Sequence, residues 1–379
     1  MSESVQAAAA RGSPEPDLLE NRWDSATAAR LSPEELLLYR SNLLGSDRRI
    51  TNFGGGNTSS KLTVADPLTG MPVSVLWVKG SGGDLGTMKL DGFASLYMEK
   101  FLALEGFYQG PQSDAEMVRL YSHCTFNLNP RAASIDTPLH GFVPYDHVDH
   151  MHPDAIIAIA ASRDSRALTQ KIFGDEIGWL PWIRPGYELG LQLRRFVRDN
   201  PQARGVILEA HGLFTWGATS QACYENTIDI INRATRWLVE HSRGKQAFGP
   251  QQVTPLPPER RREIAASIMP RVRGLISTSQ RKVGHFDDSA AVLEFVCSRR
   301  LDELAALGTS CPDHFLRTKI WPLVLPFNPA TDSVEHLQSQ LESAVASYRA
   351  RYTQYYETCK RPGSPKMRDA NAVVYLIPG

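Results

Sequence analysis

Leucines at 36, 37, 38, 43 and 44 in LSPEELLLYRSNLLG recur at helical spacing, so the first apolar stripe along the chain predicts a helix. Ser32 is placed to cap it, Pro33 fits its first position and Glu35 completes a capping box. The pattern then changes to short apolar runs broken by glycines. RITNFGGGNTSSKLTV predicts two β-like pieces around a triple glycine, and VSVLWVKGSGGDLGTM an apolar strand entering a second glycine turn. Helical patterns follow at LDGFASLYMEKFLALE and DAEMVRLYSHCTF, a strand at HVDHMH, and a helix from Pro153-Asp154. RGVILEAHGLFTWG predicts a hairpin-like pair of strands, and SQACYENTIDIINRATRWLVEH a long amphipathic helix. Strands and helices mix without strict βαβ alternation. That predicts an α/β chain, with helices layered three-deep (α/β/α) around a central mixed, largely antiparallel sheet.

Ahead of the first stripe there is no periodicity, and residues 1–30 are expected to form a flexible N-terminal segment. The layered pattern is assigned to residues 31–248. GKQAFGPQQVTPLPPERRR, rich in Pro, Gln and Gly, then marks a seam, and residues 249–379 are predicted to be mainly helical, ending on the strand-like VVYLIPG. Composition adds exclusions. With 42% hydrophobic and 22% charged residues the chain is of globular type. Forty-one basic residues balance forty-one acidic ones, so no overall field recruits nucleic acid or an anionic membrane, and an anion must be held by a local site. The five cysteines are odd in number and never in CxxC, which suits free thiols in a reducing compartment. The N-terminus has no basic stretch followed by an apolar one, and the longest apolar run, AIIAIAA, falls far short of the ~20 residues of a membrane span. A cytoplasmic protein acting on a small molecule is expected.

The chemistry-bearing residues gather around three histidines, His147, His150 and His152. On a strand, positions i and i+2 share a face while i and i+3 do not. His150 and His152 can therefore converge on one ion, and His147 points away. Alone, such a pair equally fits a hydrogen-bonded surface pair. A third imidazole, His211 in EAHGLF, stands before a glycine that permits close backbone approach. Three neutral imidazoles with an open fourth position suit a catalytic zinc, with other first-row divalent ions as alternatives, and disfavour magnesium or calcium. The two glycine turns lack P-loop spacing, yet each fits either a hairpin or an anion cradle, with Asn57, Ser59 and Ser81 as added donors. Lys61 and Lys79 beside them are expected to be solvated.

GGGNTSSK, KGSGG, SIDTPLH, HMHPDAI and EAHGL stand in the order and spacing of the class II aldolase/adducin family, which this chain resembles over about residues 31–245. With WIRPGYELG and GTSCPDHFLRTK the likeness extends to the aldolase half of bifunctional rhamnulose-1-phosphate aldolase/lactaldehyde dehydrogenases. The resemblance implies His150, His152 and His211 as zinc ligands, and Asp136 as the catalytic carboxylate. It implies Asn57, Ser81, Gly82 and Ser134 around the substrate phosphate. It further implies a homo-oligomer, a tetramer in relatives, and retro-aldol cleavage of a ketose 1-phosphate such as L-rhamnulose 1-phosphate to dihydroxyacetone phosphate and L-lactaldehyde. Short aldolases carry glutamate where this chain has Asp136, whereas sugar-phosphate 4-epimerases carry aspartate. The same metal site would also serve an epimerase or a phosphosugar dehydratase, and an adducin-like scaffold is the non-enzymatic alternative. His140, one helical turn after Asp136, is read either as a partner orienting the carboxylate or as a structural residue. His314, Arg317 and Lys319 form a polar cluster that fits a helix start or a substrate or interface contact. Tyr356 and Lys360 have the YxxxK spacing of short-chain dehydrogenases, but no dinucleotide glycine fingerprint accompanies them.

Overall fold

The capping box predicted at Ser32 and Glu35 is formed, and it opens the helix Pro33–Gly45. The computed structural model describes residues 15–128, 131–361 and 364–379. It divides into two compact units that meet in sequence between Arg243 and Gly244, just ahead of the expected seam.

In the N-terminal unit seven strands form one sheet: β1 (Asn57–Ala65), β2 (Pro72–Lys79), β3 (Phe93–Tyr97), β4 (His147–Met151), β5 (Ile177–Leu180), β6 (Gly205–Leu208) and β7 (Gly212–Gly217). Their order is β3-β2-β1-β4-β7-β6-β5. Every neighbouring pair is antiparallel except β5 with β6. Helices cover both faces. On one, Leu44, Ile156, Ile159, Phe173, Ile228 and Ile231 pack on Met151, Ile207 and Leu213 of the sheet. On the other, Leu139, Leu189 and Leu193 pack on Val148, Val206, Phe214 and Trp216. The sheet residues of these two groups alternate along β4, β6 and β7, as period-two side-chain placement requires. The α/β/α mixed-sheet architecture expected from the sequence is therefore present.

Three local expectations are corrected. FASLY, read as the start of a helix, is β3: Phe93, Ala94, Leu96 and their neighbours pair with β2 along its length, and the helix Met98–Ala103 begins only after it. A short continuous apolar run fits either period, and pairing with β2 decides it. The strand expected before the triple glycine is a turn, and β1 starts at Asn57. The lead segment is docked from residue 15 onward; residues 1–14 lie outside the described residues. Leu19 is buried, its backbone N–H donating to Asn232 Oδ1 while Asn232 Nδ2 donates back to its carbonyl. Trp23 packs between Tyr39 and Tyr224.

The C-terminal unit is mainly helical, as predicted. Ile264, Ile268 and Val272 of the helix Pro258–Ile276 meet Leu337, Leu341 and Val345 of the helix Val334–Cys359, each set at i, i+4 spacing. The closing strand β9 (Tyr375–Leu376) pairs in parallel with β8 (Leu323–Val324). A cleft of about 550 Å³ opens in this unit beside the helix Pro258–Ile276, and no histidine of the 150–211 set lines it.

Candidate metal centre and active site

β4 and β7 lie side by side with His150 opposite Phe214. This pairing brings the end of β4 next to the β6–β7 turn that carries His211. The Nε2 atoms of His150 and His152 are 2.9 Å apart, and those of His150 and His211 3.1 Å. The ligand atoms of all three fall within 4.8 Å of one another. A zinc ion with Zn–N bonds of about 2.0–2.1 Å in tetrahedral geometry would space its nitrogens about 3.3 Å apart, so these residues fit the ion. Neutral, electron-rich nitrogens in a buried pocket are the donor set for zinc or a related first-row ion. His150 Nδ1 stands 3.0 Å from the Leu213 carbonyl. That contact holds its proton on Nδ1 and aims the Nε2 lone pair into the cluster. Burial, then the neighbouring His152 and His211, pull the His150 pKa well below its ordinary value, which keeps the imidazole in its ligating form.

His147 does not join them. Its ring turns to the other face of β4, where Nδ1 meets Ser60 Oγ at 2.9 Å, as strand parity predicts. The triple glycine also serves this centre. Gly56 has φ +66, and a Cβ there would lie 3.0 Å from the His150 carbonyl oxygen, so β1 approaches β4 only with glycine at that point.

Asn57 pairs directly with His150 across β1 and β4, so the two side chains share one face of the sheet. The Asn57 amide donates to Asp136 Oδ2 at 3.0 Å. Asp136, at the start of the short helix Thr137–Gly141, is thereby tied to the β1 residue that pairs with His150. Ser134 Oγ accepts from the Asp136 backbone N–H at 3.2 Å, which shapes the turn into that helix.

Asn57 and Ser59, expected as donors to an anion, are thus engaged within the protein: Ser59 Oγ lies 2.8 Å from His140 Nδ1. Lys61 is not solvated either. Its Nζ donates to the carbonyls of His140, Val143 and Tyr145 at 3.1, 2.7 and 2.6 Å, and burial draws its pKa down to about 8. Lys79 is buried as well, its Nζ reaching the Gly82 carbonyl. Ser81 and Gly82 stand on an exposed turn, tied to the segment before Asp136 by Ser81 N–H donating to the Ala132 carbonyl. Arg131, absent from the sequence reading, lies over this turn: its guanidinium comes within 3.8 Å of where a Gly83 Cβ would stand. A cation a few residues before Asp136 was the available signal. His314, Arg317 and Lys319 belong to the C-terminal unit, where Lys319 donates to the Asp369 carbonyl. Tyr356 donates to the Pro365 carbonyl and Lys360 pairs with Glu357, so the YxxxK spacing assembles no joint site.

Three layers around a mixed sheet, with three imidazoles converging where β4 ends beside the β6–β7 turn, define an α/β/α protein with a histidine group that could hold a metal ion. The family model of the Class II Aldolase and Adducin N-terminal domain matches residues 35–238, and that of the Aldolase class II, second domain matches residues 263–379. The chain belongs to the class II aldolase/adducin family. It is similar to Uncharacterized oxidoreductase YuxG of Bacillus subtilis (strain 168), 41% identical over 363 residues, covering 96% of this chain and 52% of that protein. The chain spans about half the length of that curated relative. It is also similar to the solved N-terminal Class II Aldolase domain of a conserved protein from Thermoplasma acidophilum. That domain is 33% identical with a TM-score of 0.50, and the match covers 59% of this chain and 99% of that one. No helix among the described residues is long and apolar enough to cross a membrane.

Proposed function

We propose that this chain is a divalent-metal-dependent aldehyde-lyase that cleaves a ketose 1-phosphate, L-rhamnulose 1-phosphate in the first instance, to dihydroxyacetone phosphate and L-lactaldehyde. The observation that carries this reading is the convergence of three imidazole nitrogens, with a carboxylate bonded to Asn57, the strand partner of His150. His150, His152 and His211 would hold the ion, zinc by preference, and the bound ion supplies a Lewis acid that polarises a ketose carbonyl. Asp136 is the group that moves a proton at the carbon next to that carbonyl, a task worth ~10²–10⁴-fold in rate. The turn Ser81–Gly82, with Ser134 on the segment that Ser81 N–H reaches at the Ala132 carbonyl and the Arg131 guanidinium over the turn, is assigned to the phosphate, since a glycine turn with a forked cation suits phosphate oxygens. Homo-oligomeric assembly and a cytoplasmic setting go with this reading.

The aspartate at 136 keeps a second reading in view, a sugar-phosphate 4-epimerase on the same centre. Product analysis separates the two. Zinc-loaded protein incubated with a panel of ketose 1-phosphates should release dihydroxyacetone phosphate with an aldehyde. A stereoisomer of the substrate would instead indicate epimerisation, and loss of water dehydration. Protein that carries no metal after purification in zinc would point to a scaffold role.

A further inference from the structure

Asn57, Ser59 and Lys61 are alternate residues of β1 and so lie on one face of the sheet, and all three bond into the segment 136–145. Asn57 donates to Asp136, Ser59 meets the His140 ring, and Lys61 takes three carbonyls at the end of the helix that carries His140. Between them, His140 Nε2 contacts Asn57 Oδ1. His140 is fully buried and its ring lies tilted against that of Phe214, whose ring stacks on His150.

The donors and acceptors along this chain fix one another. An ionised Asp136 accepts only, so Asn57 must turn its NH₂ toward it and its Oδ1 toward His140. A carbonyl oxygen also accepts only, so the His140 proton must sit on Nε2. Nδ1 is then a lone pair, and the Ser59 hydroxyl must be its donor. Desolvation, reinforced by the Lys61 and Arg40 charges, keeps this imidazole neutral, against the Val148 carbonyl, which favours the proton. A protonated Asp136 would gain an O–H donor, and the opposite polarities at Asn57, His140 and Ser59 would then become accessible.

We propose that His140 is a positioning residue: as the Nε2–H tautomer, with Ser59 donating to its Nδ1, it orients the Asn57 amide so that its NH₂ holds Asp136 as an ionised base. This rests on the function proposed above for Asp136, but the hydrogen-bond chain can be read without turnover. Two-bond ¹H–¹⁵N correlation spectra of histidine-labelled wild-type protein at neutral pH should show His140 protonated on Nε2 alone. An Nδ1–H tautomer or a cation there would overturn the proposal whatever the activity. In turnover, His140→Leu should lower kcat at least tenfold with KM and bound zinc unchanged. His140→Gln, whose amide N–H can stand where Nε2–H stood, should recover most of the loss. Equal impairment of the Leu and Gln variants, or full activity in His140→Leu, would also overturn it. A wild-type protein without cleavage activity but with the Nε2–H tautomer would sink the aldolase reading and leave the chain of polarities standing.

Discussion

At the scale of single residues, the site separates side chains by what burial does to them. His140 sits wholly inside the protein with its pKa drawn down to about 3, chiefly by desolvation, while an unfolded histidine titrates near 6.5. The unfolded chain therefore binds a proton that the folded one refuses between about pH 6.5 and pH 3. Stability from this group is complete above that window and is lost as pH falls through it. From pH 7 to pH 5 the loss amounts to about 2 kcal/mol. Urea unfolding of chelator-treated protein at the two pH values should show it, and His140→Gln should show about that much less; equal losses in both proteins would contradict the account. Asp136 is by contrast partly exposed, and under the proposed function its removal should touch chemistry more than folding. Asp136→Asn should reduce turnover by on the order of 10²–10⁴ with zinc content unchanged, measured by steady-state assay beside metal analysis. Near-normal cleavage would remove Asp136 from the mechanism. Sequence parity alone could separate His150 and His152 from His147, because that argument needs only the strand period. The commitment of Asn57 and Ser59 to Asp136 and His140 was not legible, since it depends on which helix settles over β1.

At the scale of elements, the same limit recurs. Long periodic segments such as the helix Ser220–Ser242 are plain in the sequence, whereas β3 and the four-residue β5 are too short to show a period and exist through their pairing partners. Two further pieces of architecture follow from contacts no pattern reveals. On the face of β4 away from the centre, Arg40 and Asp149 form a fully buried ion pair at 2.9 Å. Arg40 also donates to Ser220 Oγ and the Ser59 carbonyl, and Cys223 Sγ reaches Asp149 Oδ2. Removing one partner leaves a charge stranded in the core, so Arg40→Met should cost ~3–5 kcal/mol by denaturant unfolding. The double variant Arg40→Met/Asp149→Leu should recover part of that; a double variant worse than the sum of the singles would refute the stranded-charge explanation. The β6–β7 turn is the second piece. Ala210 adopts φ 49 just before His211, and a Cβ on Gly212 would lie 2.5 Å from His152 Cδ2 and 2.6 Å from the Met151 carbonyl oxygen. Gly212→Ala must therefore displace the His152 ring or β7. Zinc affinity should fall by on the order of tenfold or more in chelator competition, and an unchanged affinity would show that the ring does not need that space.

At the scale of the whole molecule, the core is built in two separate pieces. The hydrophobic clusters of the N-terminal unit draw their buried members from between Leu19 and Ala234, and that of the C-terminal unit from between Ile264 and Ala372. All three proposed ligands and Asp136 lie in the first. A fragment of residues 15–243 should accordingly fold by itself and bind zinc with the stoichiometry of the full chain. Where such a fragment begins matters as much as where it ends. Sequence periodicity sets the start near residue 31, but Leu19 is buried and bracketed by two hydrogen bonds to Asn232. Trp23 adds its contacts with Tyr39 and Tyr224. Asn232 is itself almost wholly buried, so deleting the strap would expose an apolar seat and deprive a buried amide of its partners. Burial of a leucine side chain alone is worth about 1.5–3 kcal/mol, and each lost hydrogen bond about 0.5–1.5 kcal/mol. A fragment of residues 31–243 should therefore melt well below one of residues 15–243, by several degrees in a circular dichroism scan, while binding zinc with similar affinity, because the contacts that seat Leu19 and Trp23 run to Asn232, Tyr39 and Tyr224. Identical melting temperatures would mean that the segment contributes nothing to the fold. A loss of zinc without a loss of stability would mean that it acts on the centre instead.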